Sequence, residues 1–230
     1  MGQRMSLYYQ DDYVTLYHGD CLTEHREWLN ADVLVTDPPY GMNWLGGAAY
    51  TGGLGGKRSG KVNVSNDSTT EARDRCLSEW GESPAIVFGT WRVERPERVT
   101  NRLIWHKSRN PPGVSGNPWY PNDEEIYVIG KGFRGKPQPT VYTTNEWRSG
   151  AGGVVHKIGH PTPKPVELME SLVDKCPLGV VADPFAGSGS TLIASRNLGR
   201  KSIGVELEEK YCEIIATRLD QQVIDFEALM

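Results

Sequence analysis

From Gly179 to Leu207 the chain reads as a strand "GVVADPF", a glycine turn "AGSGS", a helix "TLIASRNLG" and, after Arg200, a second strand "KSIGVEL". A strand that passes through one tight turn into a helix and back into a strand brings the second strand alongside the first in the same direction. This unit commits the chain to the α/β class. The same alternation runs through the rest of the sequence. "YVTLYHG" reads as a strand, Leu22 to Leu29 as a short helix, and "DVLVTD" as a buried strand ending at Asp37. "STTEARDRCLSEWG" reads as a capped helix, followed by the strands "AIVFGTW", "RLIWHK" and "EEIYVIGK". "HPTPKPVELMESLVDKC" turns from proline-set turns into an amphipathic helix, and "EEKYCEIIATRLDQQV" closes the chain as another. The expected fold is a doubly wound, mostly parallel, Rossmann-like sheet. With 230 residues, 38% of them hydrophobic, one domain spanning 1–230 is the prior.

Two stretches resist a periodic reading. Residues 42–66 are too rich in glycine for regular structure and read as a mobile loop covering a site. Residues 131–155 mix glycine, proline and basic side chains and read as a short insertion. No window approaches the 18 apolar residues of a membrane span, and "MGQRMSLYYQDDY" lacks a signal-peptide core, so a soluble, cytoplasmic protein without a membrane partner is expected. The four cysteines form no C-x-x-C pair and the five histidines show no ligand spacing, so no metal site is expected. The net charge of −4 by itself argues weakly against a nucleic-acid partner, since phosphate binding usually leaves a basic footprint. Basic residues nevertheless cluster in 57–61, 92–109 and 131–136, against an acidic C-terminal third. A local basic face is compatible with the overall sign.

Two motifs carry chemistry. In "DPFAGSGST", residues 183–191, Gly187 and Gly189 let a ligand approach the backbone at the positive end of the following helix. Seventeen residues beyond Gly189 the next strand ends in Glu206, whose carboxylate can accept from both hydroxyls of a ribose. No G-K-[ST] follows, and Leu192 takes the third glycine position of a dinucleotide fingerprint, so a nucleoside cofactor without pyrophosphate fits better. A glycine pair alone would be read equally well as a tight turn; Glu206 tips the balance. The other motif is "DPPYG" at Asp37 to Gly41. Pro38 and Pro39 fix the backbone and remove two amide donors, leaving a rigid, acceptor-rich surface. Asp37 adds a carboxylate and Tyr40 a flat π face. Together they suit a planar ring bearing an exocyclic amino group. Strand ends in open α/β sheets line one crevice, so both motifs should face it.

At this point the chain resembles the S-adenosylmethionine-dependent DNA amino-methyltransferases of the permuted arrangement called the β class. The family's D-P-P-Y stands at Asp37, Pro38, Pro39 and Tyr40, and its F-x-G-x-G at Phe185 to Gly189, in the order that marks the class. The resemblance extends to "HGDCL" at His18 to Leu22, to "HPTPKP" at His160 to Pro165, and to "IWHKSRNPPG" with "NDEEIYVIGKG". Pro163 and Ser190 depart from the family's usual Gln and Thr. The resemblance implies Asp37, Pro38, Pro39 and Tyr40 as catalytic residues. For the cofactor it implies Asp20 and Cys21 near the adenine, and Thr162 and Lys164 at the methionine carboxylate. Asp37, Asp183, Phe185, Gly187, Ser188, Gly189 and Glu206 complete the cofactor set, and no metal is needed. It further implies methylation of a flipped adenine N6 in double-stranded DNA, in a restriction-modification setting, with residues 131–155 as target-recognition segment and a homodimer left open. Cytosine N4 is the nearest alternative, ahead of RNA or a protein glutamine. A cofactor-holding DNA-binding subunit without catalysis is the rival from another class. Lys107, Arg109, Arg134 and Lys136 are weaker candidates for phosphate contacts, as are Trp44 and Trp119 for contacts with DNA.

Overall fold

A computed structural model describes residues 6–42, 68–108, 119, 122–144, 158–160 and 162–227. Its centre is strand β3 (Val33–Thr36), in which every residue is buried. Val33 and Val35 point into one hydrophobic cluster and Leu34 into another, as the two-residue period of a strand requires. A strand covered on both faces reads as a continuous apolar run, and each such side chain withdrawn from water contributes about 1.5–3 kcal/mol.

Around β3 lie β1 (Ser6–Gln10), β2 (Val14–His18), β4 (Ala85–Gly89), β5 (Val99–Lys107), β6 (Asp123–Ile129), β7 (Val141–Thr144), β8 (Val181–Asp183) and β9 (Ser202–Glu206). The sheet order is β1-β2-β9-β8-β3-β4-β6-β5-β7. Strands β2, β9, β8, β3 and β4 are parallel neighbours. Strands β1 and β6 run against their neighbours, and β7 is parallel to β5. Helix α2 (Val166–Lys175) packs Leu168, Met169 and Leu172 on one face of the sheet, while α1 (Glu71–Trp80) packs Cys76, Leu77 and Trp80 on the other. Helices α3 (Ser190–Asn197) and α4 (Glu209–Glu227) share a third cluster with Val14 and Leu16. The mostly parallel, doubly wound reading is thereby met.

Three local readings are corrected. The helix expected at Leu22 to Leu29 is a turn followed by a 3-10 helix, Glu27–Asn30. Asp20 caps one turn that is not propagated: its side chain accepts from the Leu22 amide at 2.7 Å, and its carbonyl from the amides of Glu24 and His25. Trp28 then anchors the turn, stacking on Trp80 at 5.9 Å and donating to the Cys21 carbonyl. Strand β1 was not read as structure at all, and β7 sits inside the stretch read as irregular. Both are short strands at the ends of the sheet order, where one-sided burial leaves little apolar pattern. Of the glycine loop 42–66 only Met42 is described; Arg109, Trp44 and 145–155 also lie outside the described residues.

Candidate active site

The parallel strands end along one edge, and the winding reverses between β8 and β3, which opens a crevice there. Asp183 ends β8, and Asp37 follows the last residue of β3. Thr36 Oγ1 donates to Asp183 Oδ1 at 2.7 Å, and the Phe185 amide donates to the same oxygen at 3.2 Å, which ties the two strand ends together. Burial pushes the Asp183 carboxyl up to about 6. A cavity of about 400 Å³ runs along this edge, lined at one end by Asp20, Cys21, Phe185, Gly187 and Glu206, and at the other by Asp37, Pro38, Pro39, Tyr40 and Glu124. Thr162, Lys164, Asp183 and Ser188 also line it. Of the residues expected at the site, Gly189 alone does not line the cavity. It caps α3 in a left-handed conformation, φ 77°, with the space a side chain would need filled by Ile215.

At the first end, the turn between β8 and α3 needs Gly187 at φ 54°, where a Cβ would press on His160. Glu206 accepts from the Gly187 amide at 2.7 Å through Oε2 and from the Glu208 amide at 2.8 Å through Oε1. Burial still pushes its carboxyl up to about 7. Two contacts that the sequence does not announce hold this turn. Arg218 of α4 donates to the Ser188 carbonyl, and Ser190 Oγ donates to the Lys164 carbonyl at 2.7 Å. His160 packs edge-on against Tyr211 at 4.5 Å, and burial keeps its imidazole neutral, near a pKa of about 3.

At the second end, the Tyr40 hydroxyl donates to Asp37 Oδ1 at 2.6 Å and Lys164 Nζ donates to Asp37 Oδ2. Lys164 also lies 3.4 Å from Glu124 Oε2, and its ammonium sits 5.0 Å from the Phe88 ring centroid. The Tyr40 hydroxyl is 3.4 Å from that same Glu124 oxygen. Lys107 pairs with Glu124 Oε1 and lies 4.6 Å from the Trp105 ring. Burial raises the Asp37 carboxyl above its usual range; Lys164 opposes that shift and the Glu124 charge adds to it. Burial acts on Glu124 in the same sense, but Lys164 and Lys107 together hold it below its ordinary value. Glu124 was missed in the sequence, where it is one acid in "NDEE" with nothing to show that it faces inward.

The phosphate candidates separate. Lys107 is buried in the cavity wall, not solvated. Because β6 runs against β4, Arg134 and Lys136, which follow its end, lie at the opposite edge of the sheet. Arg134 Nε donates there to the Cys176 carbonyl at 2.9 Å. Trp119 is 79% exposed. Among the described residues no group of three His, Cys, Asp or Glu side chains could hold a metal ion, and no helix is long and apolar enough to cross a membrane.

A family model described as DNA methylase, N6_N4_Mtase, matches residues 92–217. The putative methylase YubD of Escherichia coli (strain K12) is 40% identical over 211 residues, covering 84% of this chain and 84% of its own length. Type II methyltransferase M.ScaI of Streptomyces caespitosus is 26% identical over 258 residues, covering 94% of this chain and 84% of its own. Among solved structures, the M1.HpyAVI–SAM complex superposes with a TM-score of 0.60 at 22% identity, covering 89% of this chain and 99% of that one. The cytosine-N4-specific PvuII DNA methyltransferase superposes with a TM-score of 0.64 at 15% identity, covering 92% and 88%. The strand-end carboxylates, the glycine turn and these likenesses lead to one conclusion: the chain belongs to the N6/N4 family of DNA methylases, which take their methyl group from S-adenosylmethionine.

Proposed function

We propose that this methylase modifies the N6 amino group of an adenine flipped out of duplex DNA. The observation that carries the reading is the half-buried Asp37–Tyr40 wall, which shares one cavity with the glycine turn and Glu206. The residues at the other end fit the cofactor. The cavity volume lies within the range of small-molecule sites. Gly187 keeps the turn free of a side chain, and Glu206 and Asp20 at neighbouring strand ends offer carboxyl oxygens as acceptors. Glu206 would hold the ribose hydroxyls and Asp20 with Cys21 the adenine; Phe185 would give an apolar wall, and Asp183 and Ser188 would complete the turn. Thr162 and Lys164 would hold the methionine carboxylate. When bound, S-adenosylmethionine supplies a methyl group made electrophilic by its sulfonium.

The chain's own residues prepare the nucleophile. An exocyclic amino nitrogen is a weak nucleophile because its lone pair is delocalised into the ring. Acceptors at Asp37 and the Pro38 carbonyl would draw on its two hydrogens, favour the pyramidal nitrogen and stabilise the positive charge that develops there. Flipping the base costs a few kcal/mol. Stacking on Tyr40 recovers about 1–3 kcal/mol of it. In the family that the motif resembles, the cytosine enzymes more often begin it with Ser, so Asp at its head supports adenine over cytosine.

Removing the Tyr40 ring and removing its hydroxyl have separable effects. Tyr40→Phe keeps the stacking face and loses the hydrogen bond to Asp37, so turnover should fall roughly tenfold or less. Tyr40→Ala also loses the ring and should fall roughly a hundredfold. Equal losses in single-turnover rates would remove stacking from the account. The base is identified by incubating the enzyme with methyl-labelled S-adenosylmethionine and unmethylated duplex DNA, then digesting to nucleosides for mass spectrometry. N6-methyladenine is expected. N4-methylcytosine would overturn the base and keep the family's chemistry, and labelled RNA or protein with unlabelled DNA would overturn the substrate.

A further inference from the structure

Asp37 already accepts two hydrogen bonds before any amino group arrives. Tyr40 occupies Oδ1 and Lys164 occupies Oδ2. An arriving amino group competes with these two donors for the carboxylate, and an ammonium that it displaces needs another partner in a buried site. The partner is already in place. Glu124 Oε2 lies 3.4 Å from Lys164 Nζ and 3.4 Å from the Tyr40 hydroxyl. Both distances are too long for a strong hydrogen bond and short enough that a shift of about half an ångström would make one. Two carboxylates thus face the same two donors, close on Asp37 and loose on Glu124.

From this arrangement we infer that Glu124 is a positioning residue: it takes over Lys164 and the Tyr40 hydroxyl when the target amino group claims Asp37. The inference rests on the proposed amino-base substrate. Its chemistry is exchange of hydrogen-bond partners without net charge movement. Asp37 and Glu124 carry two negative charges, Lys164 and Lys107 two positive ones, and the ammonium changes only the carboxylate it faces. Lys107 keeps Glu124 ionised and fixes its other oxygen, so that Oε2 stays turned towards the exchange. Lys164 has three N–H donors, so a hydrogen bond to Glu124 leaves others for the cofactor's carboxylate. In the sequence the pair is separated by 40 residues and lies on β6 and on the loop before α2, which is why no local motif betrays it.

The same geometry predicts a pH signature that a merely structural role would not give. The groups facing Asp37 are Tyr40 on its own loop, Lys164 before α2, Glu124 on β6 with Lys107 of β5 behind it, and Asp183 at the end of β8. Glu124→Gln removes the neighbouring negative charge and leaves Lys164 wholly committed to Asp37. Both changes stabilise ionised Asp37, so the acid limb of the pH–rate profile should move to lower pH even as the plateau rate falls. A general loosening of the site would lower the rate without that displacement.

The test uses the full-length enzyme, S-adenosylmethionine, and plasmid DNA from a methylation-deficient host, with the wild type first shown to produce a methylated nucleoside. A wild type that methylates no nucleoside overturns the proposed substrate, and the positioning role with it. Given a methylating wild type, Glu124→Gln should bind S-adenosylmethionine within about threefold of wild type by calorimetry, which also reports a folded site. Its single-turnover methylation should drop roughly ten- to a hundredfold, the range for losing one charge-assisted hydrogen bond. The acid limb should shift down by about half a pH unit or more. Glu124→Asp, which keeps the charge on a shorter arm, should recover part of the rate and restore the limb. An unchanged rate, or a slowed rate with the acid limb unmoved, overturns the positioning role. Should Glu124→Gln fail to fold, Glu124→Asp with a wild-type rate and limb supports the role, and Glu124→Asp as slow as Asp37→Ala overturns it.

Discussion

Replacing Asp37 by Ala should lower methyl transfer by roughly a thousandfold, the scale on which a single polar group aimed at transition-state charge is felt, while S-adenosylmethionine affinity changes only severalfold. The separation follows from where the side chain lies. Asp37 is grouped with Pro38, Tyr40 and Glu124 at one end of the cavity, whereas Glu206, Asp20 and the glycine turn are at the other. Loss of Asp37 also releases Lys164, which Glu124 can accept, so the variant should fold. Asp37→Asn is the sharper form of the test. It preserves shape, but one acceptor oxygen becomes an amide donor that repels the substrate amino hydrogens and Lys164 alike. Calorimetric titration with the cofactor and single-turnover methylation of unmodified duplex DNA separate the two effects. Full activity in Asp37→Ala would remove the acceptor wall from the mechanism, and loss of cofactor binding equal to the loss of rate would move Asp37 into the cofactor's site.

The parts of this enzyme that the sequence exposes are those in which neighbours along the chain are also neighbours in space. The turn from Asp183 to Gly189 is such a case, because strand, glycines and helix are one continuous segment and Glu206 follows on the next strand. "DPPY" is another: the prolines fix the geometry of Asp37 and Tyr40 without help from the rest of the fold, and the two side chains meet at 2.6 Å across three residues. Glu124 and Lys107 are legible only after folding. They are ordinary charged residues on β5 and β6, and what distinguishes them is that antiparallel pairing of those strands brings both to the crevice edge. The burial of Lys107 in the cavity wall sets it apart from the other candidates for phosphate contact.

The misread elements follow from the same principle at the level of the backbone. From Leu22 to Leu29 the residue pattern allows a helix, but the single turn capped by Asp20 is not propagated, and only the 3-10 helix Glu27–Asn30 follows it. Strand β7 has four residues and a single buried side chain, Thr144, whose hydroxyl accepts from Trp105 Nε1 at 2.9 Å. That bond adds to the parallel pairing with β5, and no alternation within "VYTT" could have announced either. The basic residues at 134 and 136 illustrate the remaining limit, since the direction of β6 decides which edge of the sheet they occupy.

Lys164→Met should destabilise the fold strongly, by about 3 kcal/mol at neutral pH, because it leaves a largely buried carboxylate without its cation. Methionine matches the stem of the lysine and keeps its packing near Phe88, so the loss isolates the charge. The dependence on pH has a definite sign. Asp37 already ionises above its usual range through burial, and without Lys164 it shifts further, with the Glu124 charge still beside it. The folded variant then holds a proton that the unfolded chain releases near the ordinary 3.8. Stability therefore falls as pH rises from that value to the elevated folded one, and stays low above it. The deficit relative to wild type should be small in melting curves near pH 4 and full at pH 8. Adding Asp37→Asn removes the stranded charge, so the double variant should regain most of the stability at pH 8 while remaining inactive. A Lys164→Met protein as stable as wild type at pH 8 would mean that Lys164 does not neutralise Asp37 in the free enzyme. A deficit equally deep at pH 4 would trace the loss to packing instead of charge.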